Sequence, residues 1–293
     1  MKAKKDRLDN IMHLRGFFPS REKAKAAIMA GVVLVDGVVV IKAGTQVCAD
    51  ADISISENPC PYVSRGGLKL AGALVSFGID VNGILAIDIG ASTGGFTDCL
   101  LQNGARKVYA IDVGYGQLDW KLRNDPRVVN LERINIRLLE KHVITESADL
   151  ITVDVSFISL KLVFPVAAGL LREDGLLISL VKPQFEAGRR QVGKKGIVRD
   201  PEVHRDVIKN VIAYGLKNGL FVKNMMASPI DGAKGNREFF LIFGKEAHMD
   251  GKRLGDQHPD GQHPDDQHPD GQHPDAPLIN DSWIDMVIQE GRL

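Results

Sequence analysis

One stretch, Ala86-Ile87-Asp88-Ile89-Gly90-Ala91-Ser92-Thr93-Gly94-Gly95-Phe96, runs from an apolar strand-like segment through a glycine-rich turn into a helix-like one. Glycine in such a turn lets main chain approach a ligand, and open α/β sheets bind ligands at the carboxyl ends of their strands. Asp112 closes the next apolar run, Val108-Tyr109-Ala110-Ile111, where a carboxylate can accept hydrogen bonds from ribose hydroxyls. A dinucleotide fingerprint, G-x-G-x-x-G, needs glycine where Ser92 stands. Asp88, two residues before the first glycine, is awkward beside a pyrophosphate but suits a cationic methionine moiety, directly or through water. The pattern favours S-adenosylmethionine over a dinucleotide or a purely structural turn. Asp88, Gly90, Ser92, Gly94, Gly95, Phe96 and Asp112 are the candidate cofactor residues, with Asn135, just past a third apolar run, a weaker one near the adenine.

Four further polar residues stand where a doubly wound sheet would bring them together. Asp154 ends Leu150-Ile151-Thr152-Val153, and Lys182 ends Leu177-Ile178-Ser179-Leu180-Val181 before Pro183. Glu238 opens an apolar run, and Lys69 opens the helix-like segment ahead of the glycine turn. Taken singly, a Lys or Glu is usually a solvated surface residue and an Asp at a strand end often only a cap. A Lys directly after a continuous apolar strand is harder to explain that way. Cytosine-5 methylation would need a cysteine nucleophile, but Cys99 falls inside the helix after the turn and is expected to pack. The segment Asp154-Val155-Ser156-Phe157 also lacks the Asp/Asn-Pro-Pro-aromatic pattern of amino-group methylation.

Three regions of chain must position these groups. The first, 5–58, reads as two short helices followed by a hairpin, with Ser20 as N-cap of the second, Gly31 as its stop, and Asp36-Gly37 between β-branched runs as a type I′ turn. Residues 59–63, with Pro59 and Pro61, form a linker. In 64–245, strands are expected at 84–89, 107–112, 127–131, 149–155, 175–182, 219–227 and 237–243, and helices at 66–78, 94–103, 158–171 and 201–217. This alternation predicts an α/β fold, a mainly parallel Rossmann-like sheet with helices on both faces beside a small α+β module. Residues 246–293 contain four pentapeptides in 256–275, each ending Gln-His-Pro-Asp, and read as a low-complexity acidic tail expected to be disordered. Past the repeats, Trp283, Ile284, Val287 and Ile288 suit a short amphipathic turn or two.

The chain's 37 basic and 37 acidic residues balance, but the tail holds eleven acids and three bases, so residues 1–245 keep 34 bases against 26 acids. Bases cluster at 1–25 and at 181–199, as phosphate-backbone contacts do. No apolar run reaches the eighteen residues of a membrane span, no secretory h-region follows the basic N-terminus, and the three cysteines have neither metal-ligand nor disulfide-framework spacing. A cytoplasmic protein without a bound metal is the expectation.

The motifs Arg7-Leu8-Asp9, Ser20-Arg21, Val35-Asp36-Gly37, Tyr62-Val63-Ser64-Arg65-Gly66-Gly67-Leu68-Lys69-Leu70, the Asp88–Asp98 turn, Asp154-Val155-Ser156-Phe157-Ile158-Ser159-Leu160, Val181-Lys182-Pro183-Gln184-Phe185-Glu186 and Gly235-Asn236-Arg237-Glu238-Phe239 together resemble the TlyA (haemolysin A) family over 5–245. That resemblance implies an S4-type RNA-binding domain fused to an FtsJ-like (RrmJ-type) methyltransferase domain. It places a ribose 2′-O-methylation tetrad on Lys69, Asp154, Lys182 and Glu238, and suggests cytidine in small- and large-subunit ribosomal RNA, with no obligate protein partner. The tail after about 248 departs from the family. A ribose hydroxyl must lose its proton as it attacks the methyl group, and Lys182 either takes that proton, with Lys69 as the neighbouring cation, or only steers the hydroxyl. Candidate RNA contacts are Arg7, Arg15, Arg21, Lys23 and Lys25 in the module, Arg65, and Arg189, Arg190, Lys194, Lys195 and Arg199 in a glycine-rich basic loop. Alternatives are an S4-containing pseudouridine synthase, which needs no such glycine turn, an assembly factor that has lost catalysis, and a pore-forming haemolysin, which the missing signal and membrane segments disfavour.

Overall fold

The computed structural model describes residues 5–29, 31–40, 43–55, 60–140, 142–232, 235–245 and 281–290. The Gln-His-Pro-Asp repeats and Pro59 lie outside the described residues.

The N-terminal module comprises β1 Lys5–Arg7, α1 Leu8–Leu14, α2 Arg21–Met29, β2 Val33–Val35, β3 Val38–Val39, β4 Gln46–Cys48 and β5 Ile53–Ile55. Asp36 and Gly37 have φ of 52° and 77°, both positive as a type I′ turn requires. Ser20 Oγ accepts from the Lys23 amide at 3.3 Å, and Gly31 follows α2 at φ 76°. The reading of two helices and one hairpin missed β4 and β5, which pair with β1 and β2 respectively. Three-residue strands are too short for alternation to declare itself. Leu8, Met12, Ala24, Ile28, Val33 and Ile53 form the core.

Beside that core Asp9 is buried, accepting from Arg7 at 2.9 and 2.7 Å and from Arg21 at 3.3 Å. The hydrogen bonds from Arg7 dominate and pull its carboxyl down to about 2. A carboxyl depressed in the fold stabilises it fully above its unfolded value, and that stabilisation fades as pH falls from about 4 towards 2. Asp9→Asn is therefore expected to destabilise the module by about 1–2 kcal/mol at pH 7 and to flatten its acid unfolding over that window. Amide NMR signals of the module followed through an acid titration check this. An unchanged acid midpoint would show the ion pair to be inert.

The larger unit is one seven-stranded sheet. Its strands are β6 Leu85–Ile89, β7 Lys107–Ile111, β8 Val128–Leu131, β9 Ala148–Val153, β10 Leu171–Val181, β11 Phe221–Ala227 and β12 Phe239–Gly244, in the order β11-β12-β10-β9-β6-β7-β8. The five strands β10, β9, β6, β7 and β8 run parallel, β12 is antiparallel to β10, and β11 pairs antiparallel with β12. Helices α3 Arg65–Phe77 and α4 Gly95–Gln102 cover one face through Leu70, Leu74, Phe96 and Leu100. Helices α6 Phe164–Leu170 and α8 Pro201–Leu216 cover the other through Phe164, Val207, Ile208 and Val211. Because β6 connects outward to β7 while β9 lies on its other side, the chain reverses direction across the sheet between β6 and β9. Ligands of open α/β sheets bind at that crevice.

Strand alternation decides which side chains face α3 and α4. Leu85, Ile87 and Ile89 point to the α6 and α8 side, so Asp88 points to the other. On β9, Ile151 and Val153 join the first group and Leu150 the second; on β12, Phe239 and Leu241 join the first and Phe240 and Ile242 the second.

Three expectations need correction. The helix expected over 158–171 is a 3-10 turn Leu160–Leu162 followed by α6, because Pro165 fits only the first turn of a helix. The short helices α5 Trp120–Arg123 and α7 Pro183–Glu186 lay in no expected element. The tail 246–293, read as disordered apart from an amphipathic turn or two near Trp283, contains the ten-residue helix α9 Asp281–Glu290, whose Ile284, Val287 and Ile288 are buried in the main core. Among the described residues, no helix is long and apolar enough to cross a membrane.

Candidate active site

The turn after β6 is built more tightly than the sequence suggests. Gly90 has φ 89°, and a Cβ there would lie 2.5 Å from the Asp154 carbonyl oxygen, so the turn crosses directly over the end of β9. Asp154 N donates to the Ile89 carbonyl at 2.9 Å, which locks the two strand ends together. A Cβ on Gly94 would strike Leu122, and one on Gly95 would strike Ser64 Oγ. Each of these glycines makes room for a neighbouring part of the chain. Gly95 lets the N-termini of α3 and α4 touch, which puts Lys69 beside the turn. Phe96 is likewise a core residue, its ring 6.2 Å from that of Phe240.

Asp88 is fully buried beneath the turn, accepting from Thr97 Oγ1 at 2.7 Å and Thr152 Oγ1 at 3.0 Å. Burial pushes its carboxyl up to about 7 despite those bonds. With no exposed surface it cannot touch a cofactor directly. Ser92, by contrast, is exposed at φ 50°. Asp112 is half-buried at the end of β7, accepting from Ser92 N at 2.8 Å and Gly114 N at 2.7 Å, one bond per oxygen. The remaining lone pairs stay available in a carboxylate fixed by main chain. Asn135 spends its side-chain oxygen on Arg137, accepting from N at 3.2 Å and Nε at 3.1 Å.

The other four polar residues arrive as two ion pairs. Lys182 Nζ lies 2.6 Å from Asp154 Oδ1 and donates to Ser156 Oγ at 3.1 Å. Lys69 Nζ lies 2.7 Å from Glu238 Oε2, and the Glu238 side chain is only 2% exposed. Gln184, two residues past Lys182, donates to Glu238 Oε1 at 3.3 Å and so links the pairs. Gly232 packs so closely on the Glu238 carboxylate that any Cβ would displace it. Ser156, Gln184 and Gly232 were not singled out from the sequence, although the first two lie inside the motifs quoted for the resemblance.

Phe157 was missed as well. It is 90% exposed, takes φ 64°, and its ring lies 4.9 Å from that of Phe185. A large aromatic residue at positive φ is strained, and such strain persists only where surroundings impose it. Glu186 supplies part of that constraint, accepting from Ser159 Oγ and Leu160 N, each at 2.7 Å. Burial raises its carboxyl above the usual range. Cys99 is buried, and its thiol is pushed up to about 12, chiefly by burial, so it is no nucleophile. Asp98, also buried, accepts from Val63 N at 2.8 Å and straps the entry of α3 to α4.

The basic candidates divide. Arg7 and Arg21 pair with Asp9, Arg15 donates to the Ala49 and Ala51 carbonyls, and Arg65 donates to the Asp231 carbonyl at 3.2 Å. Lys23, Lys25, Arg189, Arg190, Lys194, Lys195 and Arg199 are exposed. The loop bearing the last five is tied down by Asn236, which accepts from Val198 N at 3.0 Å and donates to the Gly196 carbonyl at 2.9 Å.

Residues 62–245 match the model of FtsJ-like methyltransferases, and residues 6–53 match the S4 domain. The chain belongs to the FtsJ-like methyltransferase family. YqxC of Bacillus subtilis is 52% identical over 242 residues, covering 82% of this chain and 86% of that protein. The 16S/23S rRNA (cytidine-2′-O)-methyltransferase TlyA of Mycobacterium tuberculosis is 44% identical, covering 82% of this chain and 90% of its own. A solved structure of a hemolysin-named protein from Streptococcus thermophilus superposes with a TM-score of 0.65 at 45% identity, covering 82% of this chain and 88% of the other. S-adenosylmethionine is the methyl donor of this methyltransferase family. The residues present fit it: a fixed carboxylate with free lone pairs at Asp112 and an exposed Ser92 at the turn.

Proposed function

We propose that this methyltransferase acts on ribosomal RNA, at the 2′-hydroxyl of a cytidine ribose, in the cytoplasm. The observation that carries the reading is the convergence of two ammonium–carboxylate pairs beside the Gly90 turn, linked through Gln184. Bound S-adenosylmethionine would supply an electrophilic methyl group, with Asp112 receiving its ribose and Asp88 holding the turn from below through Thr97 and Thr152. An ammonium has three donors, and Lys182 donates to Ser156 while its charge pairs with Asp154, so at least one donor is left for the substrate hydroxyl. The hydroxyl is thereby oriented for in-line attack on the methyl carbon, and the proton it loses as the oxygen–carbon bond forms and the sulfur–carbon bond breaks passes to Asp154, the partner of Lys182. Lys69 and Glu238 hold Gln184 and the α3 side of the site in register. Fixing reactants in near-attack geometry contributes roughly 7–11 kcal/mol in favourable cases.

The S4-type module and the basic loop of 188–199 supply phosphate contacts through their exposed lysines and arginines, while Arg7, Arg15 and Arg21 serve mainly to brace the module. Phe157 offers a ring at the mouth of the site on which a base can stack. Base–aromatic stacking is worth about 1–3 kcal/mol per base. Phe157→Ala is thus expected to raise KM for RNA about 5- to 150-fold with S-adenosylmethionine affinity unchanged, and Phe157→Tyr to restore it. A steady-state assay over RNA concentration checks this, and equal KM for Ala and wild type would remove Phe157 from recognition.

The test of the whole reading is transfer from labelled S-adenosylmethionine to unmodified ribosomal subunits, followed by alkaline hydrolysis. Label in alkali-resistant dinucleotides marks 2′-O-methylation. Label on bases, or in neither subunit, would defeat the proposal.

A further inference from the structure

Helix α9 lies beyond the end of the family match at residue 245, and nothing in the chemistry above uses it. Ile284, Val287 and Ile288 fall on one face of the helix at i, i+3 and i+4 and are buried to 3% exposure or less. They enter the layer that holds Val203, Val207 and Val211 of α8, Met225 of β11 and Phe239 of β12. Two ion pairs set the register. Asp285 accepts from Arg205 Nε at 2.7 Å, and Asp281 Oδ1 lies 2.7 Å from Lys209 Nζ. The acids are four residues apart on α9 and the bases four apart on α8, so the two rows face each other.

The next contact reaches towards the active site. Arg237 Nη2 donates to the Val287 carbonyl at 3.3 Å, and Arg237 directly precedes Glu238. On the opposite side Asn236 holds the 196–198 loop, and its carbonyl accepts from Gly232 N at 2.7 Å. Gly232 is the residue that presses on the Glu238 carboxylate. The Glu238 carbonyl in turn accepts from Ser228 N at 2.8 Å. The segment 235–238 is therefore gripped between a basic loop and a helix contributed by the far end of the chain.

We propose that α9 is a positioning element for the Lys69–Glu238 pair, acting through Arg237. It covers a face of α8 and β11 and, by fixing Arg237 at the Val287 carbonyl, sets where Glu238 enters the site. The rate consequence rests on the functional reading above, whereas the structural consequence does not.

The full chain is compared with one ending at residue 280 and with the full-length double variant Ile284→Ala/Val287→Ala. Hydrogen exchange is expected to quicken at least tenfold at the Val198, Ser228 and Gly232 amides, with Gly90 and Asp154 unaffected. Turnover of methyl transfer is expected to fall about tenfold with KM for RNA unchanged, and a peptide of residues 276–293 to restore both in the truncated chain. Unchanged exchange at those three amides, or faster exchange with unchanged turnover, would overturn the proposal. If the truncated chain does not fold, the double variant decides on the same readings. Should exchange respond while the full chain transfers no methyl group, the functional reading fails and the positioning of Glu238 stands.

Discussion

Lys182→Ala is expected to lower methyl transfer about 10²–10⁴-fold while leaving S-adenosylmethionine affinity within twofold. The magnitude is that of losing one positioned group acting directly on the reacting hydroxyl. Cofactor affinity is spared because the Asp88–Asp112 region is braced independently, by Thr97, Thr152 and main-chain amides that do not involve Lys182. Lys182→Arg is expected to fare little better. Its planar fork cannot reproduce the geometry in which one nitrogen meets Asp154 and Ser156 and still points a donor at a hydroxyl. Single-turnover rates together with calorimetric cofactor titration separate the two effects. A Lys182→Ala enzyme of wild-type rate would remove the tetrad from the chemistry.

Much of this site can be seen in the linear chain because β-strands alternate. Asp88, Thr152 and Phe240 share the α3 face, and continuing the two-residue step past each strand end puts Asp154, Lys182 and Glu238 on it too. Chain direction supplies the rest, since Asp154 and Lys182 follow the carboxyl ends of parallel strands whereas Glu238 precedes an antiparallel one that begins beside them. What alternation cannot reveal is distance across helices. The approach of α3 to α4 depends on which atoms sit opposite Gly95, and that is a property of packing rather than of spacing. The glycines of the turn were legible as necessary, but not which neighbours they make room for, because spacing does not show what packs opposite a glycine. Phe157 carries no periodic signal, as it sits in a strained loop held from Glu186. The docking of α9 was hidden for another reason: the spacing of Ile284, Val287 and Ile288 marks an apolar face but not its partner, and the pairing of Arg205 and Lys209 with Asp285 and Asp281 shows only in the fold.

Glu238→Ala should cost stability and activity together, and the two losses can be pulled apart. The carboxylate is 2% exposed and its partner ammonium 12%, so removing the acid strands a nearly buried cation without its ion-pair partner. Deleting one member of a buried pair typically costs 3–5 kcal/mol, and the residual exposure of Lys69 places the expected loss at about 3 kcal/mol. Glu238→Gln keeps an acceptor but not the charge and should cost about 1–2 kcal/mol. Replacing both members with apolar residues of similar volume, Lys69→Met with Glu238→Leu, removes the stranded charge and is expected to recover most of the lost stability. Activity should not return with it, because Gln184 and the α3 side of the site then have nothing polar to hold them in register. Denaturant midpoints for the three proteins, set beside their turnover numbers, read both effects at once. Recovery of turnover along with stability would mean that the pair is a structural staple of the fold and that the chemistry belongs to Asp154 and Lys182 alone.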